Sequence, residues 1–386
     1  MKIKKLLLLI SILLLTGCYD RKELNKITIV TATEINKIND EFVINAQIVN
    51  PQSPDKTTNV EAPFFIYTGK GKTIQEAYRQ IKLSSSRYLY PDHLRVLIIN
   101  ENLAKEDVSE ILDFYLRNPV IRTEFNVLIG KDNNILSPIT PLNQISASSI
   151  NDTLEVNKNY LGVANLTSLS KMATMYLNPN TEIVLPSIKL NSINKEIDKE
   201  ENTKSTKVNS IYELSGLAIF KDNKLKGYLT NDESITYNLI KNNTKNNIIV
   251  YECNDNNYLT LEIITSKTNI TTKNEKINIK ININATINES TCNINLNNEK
   301  NIILLEKNLK TYLNNKIIKD IDNIRNNYNS DIFGFLDIIY KHDYNTYLKI
   351  KNNWYSETFK SIPIEIETNI KIISIGNIME VTDEKN

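Results

Sequence analysis

The chain is poor in the residues that usually carry chemistry. It has two histidines, His93 and His342, and three cysteines, Cys18, Cys253 and Cys292. These are too few and too scattered for a zinc site, which gathers His and Cys ligands at short spacings. Ser84-Ser85-Ser86 stands outside any G-x-S-x-G frame, so no nucleophile elbow is present. The glycines of Gly69-Lys70-Gly71-Lys72-Thr73 are two apart, whereas a phosphate loop needs G-x-x-x-x-G-K-[ST]. The pairs Asp40-Glu41 and Glu200-Glu201 fall in turns or in a charged linker, where solvation is the default. Nor does charge of one sign dominate: 46 basic residues face 45 acidic ones. That balance, without a Lys/Arg stripe, removes the overall electrostatic basis for binding nucleic acid or an anionic membrane. These absences point away from an enzyme and away from a bound cofactor or metal.

What is present begins at the N-terminus. Lys2, Lys4 and Lys5 precede a ten-residue apolar run, Leu6 to Leu15, and Thr16-Gly17-Cys18 follow. A basic start, a short apolar core and small residues before a break describe an export signal. The cysteine after the break makes it a bacterial lipobox. Cys18 is the expected lipidation site: its thiol takes a diacylglyceryl group and residues 1–17 are removed. The apolar run is too short to span a bilayer, which takes about 20 residues. Two acyl chains hold a protein stably where one does not, at about 0.8 kcal/mol per buried methylene. The mature chain carries 43 basic and 45 acidic residues. Cys253 and Cys292 lie in strand-like stretches. Two small buried or edge residues is the simpler reading of them, and a disulfide remains open outside the membrane.

Hydrophobic periodicity supplies the rest. Strands are expected at Ile27–Thr33, Phe42–Val49, Ala62–Tyr67, Leu94–Ile99, Phe125–Ile129 and Thr181–Leu190. Helices are expected at Thr73–Leu83 and Leu103–Leu116, with broken helix from Ser137 to Pro179. Residues 191–210 read as a linker, dense in charge and poor in apolar residues. Beyond it come the hairpin Ile211–Phe220/Leu225–Leu229, a helix Asp232–Lys241, and strands Ile248–Glu252, Leu259–Thr271 and Ile277–Asn288. The strongest helix carries Ile302, Leu305, Leu309, Leu313, Ile317, Ile321, Ile324 and Tyr328 on one face. Helices Asp331–Tyr340 and Tyr344–Thr358 and a strand Ile362–Ile375 close the chain. The pattern predicts an α+β protein of several small subdomains. Its sheets are mixed and mostly antiparallel, with flanking helices that include one long helix in the C-terminal half. The units are a signal at 1–17, an N-terminal region at 18–190 with room for a break near 130–150, the linker, a C-terminal domain at 211–376 and a tail at 377–386.

Several residue groups resemble the Ger(x)C family, the GerAC-type C subunits of nutrient germinant receptors in endospore-forming bacteria. The likeness starts at Gly17-Cys18-Tyr19-Asp20-Arg21-Lys22-Glu23-Leu24, where the family usually has Trp at the place of Tyr19. It continues at Gly69-Lys70-Gly71-Lys72-Thr73-Ile74 with Glu76-Ala77, at His93-Leu94-Arg95-Val96, and at Leu103-Ala104-Lys105. It reappears at Gly216-Leu217-Ala218-Ile219-Phe220 with Gly227-Tyr228-Leu229, at Asp331-Ile332-Phe333-Gly334-Phe335, at Trp354 with Phe359, and at Gly376. The resemblance implies a lipoprotein on the extracytoplasmic side, at the outer face of the spore inner membrane. It implies membrane-embedded A and B subunits as partners and no catalytic activity. The bland readings stand beside it: Gly69, Gly227, Gly334 and Gly376 as turns needing positive φ, and Trp354 as a core anchor. A lipoprotein that binds a small nutrient for a transporter is the alternative function.

Overall fold

Phe42, Ile44, Ala46 and Ile48 alternate along one strand, and that period of two seats them against one face of a large sheet. The computed structural model describes residues 23, 26–50, 62–119, 121–192, 197–199, 201–204, 206, 210–254, 256–273 and 275–376. The first sheet is built from β1 (Ile27–Ile38), β2 (Glu41–Val49), β3 (Phe64–Gly71), β4 (Tyr88–Tyr90), β5 (Val96–Asn100), β6 (Asn126–Gly130), β7 (Val184–Ser192), β8 (Ser210–Lys221) and β9 (Lys224–Tyr228). Its order is β3-β2-β1-β5-β6-β7-β8-β9, with β4 paired to the start of β1. The flanks are antiparallel; β1, β5, β6 and β7 run parallel.

The parallel centre needs cover on both faces, and the sequence supplies it. Val96, Leu97, Ile98 and Ile99 are all fully buried, and alternate residues enter different cores. One face meets α1 (Ile74–Gln80), α2 (Glu101–Glu106), α3 (Ser109–Arg117) and, later in the chain, α5. The other face meets Ala147, Ile150 and Leu154 of α4 (Ser146–Tyr160). Helix α5 (Leu169–Leu177) presents Leu169, Met172 and Ala173 inward, as their spacing predicts. Within the charged stretch lies α6 (Glu201–Lys204), where Asn202 donates its amide to the Ile139 carbonyl at 2.9 Å. Strands β7 and β8 pair antiparallel on either side of that stretch.

The second sheet is β10 (Ile248–Asn254), β11 (Asn257–Lys273), β12 (Lys276–Ser290) and β13 (Ile364–Ser374), in that order. Ahead of it lies α7 (Asn231–Ile240), opened by a capping box between Thr230 and Glu233. Ile277, Ile279, Ile281 and Ile283 of β12 face the core. They meet α8 (Glu299–Tyr328), a 30-residue helix whose buried stripe is Leu305, Leu309, Leu313, Ile317, Ile321 and Ile324. Helix α8 also carries the chain back so that β13 pairs parallel to β12. Asn329, at φ 48°, ends it in the left-handed conformation that asparagine tolerates. Then come α9 (Phe335–His342) and α10 (Tyr344–Ile350).

The α+β class and the long helix match the sequence expectation. Three details differ. The helix expected over Leu103–Leu116 is two, because Asp107 is extended and ends the first, and its carboxylate turns the chain by accepting the Ser109 N–H at 2.7 Å. The helix expected from Asp331 begins at Phe335: Gly334, at φ 71°, is its N-cap, and Asp331 reaches forward to accept its first two N–H groups. The helix expected over Tyr344–Thr358 breaks into α10, a 3₁₀ turn and a π turn at Trp354–Thr358. A π turn brings residues five apart onto one side, and so buries both Trp354 and Phe359. The sheets are mixed, as expected, with antiparallel pairs in the majority, and the parallel part is concentrated at the centre of the first sheet.

Cys253 and Cys292, for which separate small residues was the simpler reading and a disulfide stayed open, form a disulfide with Cα atoms 6.2 Å apart. It clamps the ends of β10 and β12 across β11, beside the pair of bonds between Tyr258 and Thr291. The half-cystines are 39 residues apart, and loop closure of about that length is worth ~2–4 kcal/mol in the unfolded chain. Replacing both cysteines by serine should lower the unfolding free energy by that amount, read as a fall in the urea midpoint at unchanged slope, and reductant should do the same to the parent protein. Equal midpoints with and without reductant would show that the bridge adds nothing.

Candidate functional site

A groove opens beside Thr73, where β3 leads into α1. Gly69 and Gly71 lie in β3 and are not at positive φ; a Cβ on either would run into the backbone of Ala77. They are glycines because α1 crosses their strand closely, which excludes the phosphate-loop reading. Thr73 caps α1 by accepting the Glu76 N–H at 3.1 Å, and Glu76 returns an oxygen to the Lys72 N–H at 2.8 Å. Between this helix start and α3 lies an open groove of about 740 Å³, lined by Ile74, Glu110, Asp113, Phe114, Arg117 and Tyr176 among others. Phe114 stacks on Tyr78 at 5.6 Å. Behind them Thr33, Tyr78 and Tyr115 join hydroxyls in two steps of 2.9 Å. Burial pushes both phenols above their usual range, so they remain neutral. On the rim Arg117 pairs with Asp113 at 2.6 Å, well exposed. The groove is large enough for a small ligand. Its aromatic floor and charged rim can bind; they hold no nucleophile with a base beside it.

The buried titratable groups act as struts. Glu34 of β1 is 3% exposed. It accepts from the Asn45 amide and the Ile135 N–H, both at 3.4 Å. Burial raises its pKa against these bonds. Lys221 and Glu182 pair at 2.7 Å, 13% and 11% exposed. The Lys221 ammonium also lies over the Tyr355 ring, and Tyr355 donates its hydroxyl to Glu182 at 2.9 Å. Asp331 is fully buried. Its two oxygens accept the Phe335 and Leu336 N–H groups at 3.0 and 2.9 Å, capping α9. The Lys241 ammonium, near it, donates to the Phe333 carbonyl at 3.1 Å.

Among the described residues no three His, Cys, Asp or Glu side chains could share a metal ion. His93 closes a 3₁₀ turn and His342 is the last residue of α9; both are exposed and far apart in the fold. Cys18 lies outside the described residues. Trp354 is the core anchor expected, 5.6 Å from Phe359. Gly334 and Gly376 have positive φ, at 71° and 84°. Gly227, like Gly69, does not: it lies in β9, where a Cβ would strike the Tyr328 ring. Sequence reading missed the positive φ of Gly216 and an exposed tyrosine cluster. Tyr340, Tyr344 and Tyr347 have ring centroids 5.0 to 5.8 Å apart. Their spacing of four and three was the available signal.

Desolvation raises the Asp331 pKa to about 6, outweighing the backbone N–H groups and Lys241 that favour its charged form. The folded state therefore holds this proton where the unfolded chain, near pKa 3.9, has lost it. Stability from this group is complete below about pH 4 and falls as pH rises through 6. Urea midpoints of the Asp331→Asn variant should lack that fall over pH 4 to 6, on a lower baseline. An identical pH profile in both proteins would mean that Asp331 is ionised throughout.

Residues 20–190 match the family model described as "spore germination protein N-terminal domain". Residues 215–376 match "spore germination B3/GerAC like, C-terminal". The chain is 28% identical to spore germination protein KC of Bacillus subtilis (strain 168), covering 96% of this chain and 95% of that one. It is 22% identical to spore germination protein B3 of the same organism, over 95% and 96%. It is 27% identical to spore germination protein GerQC of Bacillus cereus, over 78% and 80%. The crystal structure of the GerBC protein aligns with a TM-score of 0.52 at 18% identity, over 88% of this chain and 96% of that one. This last likeness is one of fold.

Proposed function

The chain belongs to the GerAC-type family of spore germination proteins, and from that premise we propose that it is the lipid-anchored, non-catalytic C subunit of a nutrient germinant receptor. Its role is in spore germination. Its folded body scaffolds or couples the membrane-embedded A and B subunits from the extracytoplasmic face, and a diacylglyceryl group on Cys18 holds it there. One observation carries the reading: the N-terminal family match starts at residue 20, two residues past the lipobox cysteine, so the anchor and the family domain adjoin. In addition, no helix among the described residues is long and apolar enough to cross a membrane. Confinement to the membrane plane raises the effective concentration of the subunit beside its partners without any new contact.

A second reading, a lipoprotein that binds a small nutrient, is favoured by the groove between α1 and α3. A ligand held there at 100 times its Kd would add about 2.7 kcal/mol of stability, so a thermal-shift screen against germinant nutrients separates the two readings. Under the subunit reading, tagged protein pulled from spore membranes brings two polytopic subunits with it, and the reading fails if none associates. Cys18→Ala should move the protein out of the membrane fraction. If it stays tightly bound, protein contacts rather than lipid do the holding.

A further inference from the structure

The short strand β4 places a second feature at the point where the chain leaves its anchor. β4 runs parallel to the start of β1, with Tyr88 beside Ile27 and Leu89 beside Thr28. Eight residues separate Ile27 from Cys18. Fully extended they reach about 30 Å. The span is shorter than that, because the Lys26 N–H bonds back to the Glu23 carbonyl at 2.9 Å. Acylation of Cys18, on which this inference rests, therefore keeps the Tyr88 end of the sheet near the bilayer.

That end has the composition of a membrane interface. Leu83 is 85% exposed and Tyr88 61%. Both belong to a turn whose shape is fixed from within. Ser84 donates its hydroxyl to the Ile81 carbonyl at 3.1 Å, and Ser85 donates to the Arg87 carbonyl at 2.7 Å. Buried Ile81 roots the turn in the core. The Lys82 ammonium lies 5.7 Å from the centre of the Tyr88 ring. Between Ile81 and Tyr90 the sequence holds two cations, Lys82 and Arg87, and no anion, although the mature chain as a whole is slightly acidic. Tyrosine favours the headgroup region, with its ring in the apolar layer and its hydroxyl wet. Lysine keeps its charge at the surface while its stem lies on apolar groups.

We propose that the Lys82–Tyr88 turn is a membrane contact. Leu83 and Tyr88 enter the interfacial layer beside the protein's own lipid, and Lys82 and Arg87 meet lipid phosphates. The body is thereby seated on the bilayer in one orientation instead of swinging on its tether.

The test supplies the tether artificially. Mature chain carrying an N-terminal histidine tag in place of Cys18 is bound to nickel-chelating vesicles of phosphatidylcholine and phosphatidylglycerol. An environment-sensitive fluorophore is attached at Leu83→Cys or, as a control, at Ile38→Cys, which lies at the far end of the 12-residue β1 and is 52% exposed. The label at 83 should shift to the blue, brighten and be quenched by spin-labelled lipid; the label at 38 should not respond. The shift should weaken in the Lys82→Gln, Arg87→Gln background. No shift at 83 on tethered vesicles overturns the contact. A shift that needs co-reconstituted membrane subunits also overturns it, because the face then docks on protein. Because the tag replaces the lipid, failure of Cys18 acylation is read separately, from loss of fatty-acid labelling, and leaves this result standing.

Discussion

Side chains on a strand alternate between its faces, and for β7 and β8 each face belongs to a different core. Leu185, Ala218 and Phe220 enter the core under α1, α3 and α5, whereas Val184, Leu217 and Ile219 enter the core around α8. All six are fully buried. Register maintains the division: Val184 stands opposite Ile219, and Leu185 opposite Ala218. A slip of one residue would exchange the two sets and damage both cores together. Burying a large aliphatic or aromatic side chain is worth about 1.5–3 kcal/mol, so moving one half of the molecule against the other costs several such side chains. The two family segments meet in one sheet, with β7 closing the first and β8 crossing into the second.

Polar bonds reinforce this seam where apolar contact ends. Ser330 donates to the Phe220 carbonyl at 2.6 Å and Tyr328 to the Tyr228 carbonyl at 2.8 Å. The Lys221–Glu182–Tyr355 cluster joins a strand end of the first sheet to the π turn of the second half. A buried ion pair adds little net stability when its desolvation is counted, but removing one partner strands the other. Such a cluster resists partial rearrangement more than it adds to total stability. Asp331 achieves a similar end differently: burial favours its protonated form, and it still satisfies the first turn of α9. For a subunit proposed to couple two membrane proteins, a seam that does not yield is the property that matters, since a compliant body would absorb any displacement applied to it.

How much of this could be read from sequence follows from which interactions are local. The isoleucines of β12 and the stripe of α8 repeat at the periods of strand and helix, so both elements and their inward faces were legible. Thr73, a cap residue type ahead of an apolar-periodic run, announced the start of α1 for the same reason. The parallel centre was not legible as such: Leu94–Ile99 and Phe125–Ile129 read as strongly apolar strands, and only their pairing partners, far apart in sequence, decide direction. Three-residue β4 carries too short a pattern to register. Gly69 and Gly227 looked like turn glycines, but their reason is a helix backbone or a tyrosine ring arriving from elsewhere in the chain. Cys253 and Cys292 could not be paired from sequence because a strand's whole length, β11, separates the elements that carry them. In the candidate groove, Tyr176 was visible as a residue of a helical face, yet nothing in the spacing along either helix showed that α1 and α3 leave a gap between them.

Net charge bears on orientation. The chain has 46 basic and 45 acidic residues, three of the basic ones within the first five positions, and the Debye length at physiological ionic strength is about 8 Å. No long-range field therefore turns this body toward or away from an anionic surface. A single lipid attachment, as proposed for Cys18, fixes distance but not attitude, since a body on one attachment can rotate about it at little energetic cost. Whatever sets the attitude must be short-ranged and close to the attachment point. The beginning of β1 is the described strand nearest Cys18 in sequence, and it belongs to a sheet that continues without interruption to β9. An orientation imposed at that end is therefore transmitted through paired backbone to the seam at β7 and β8, and from there to α8 and the second sheet.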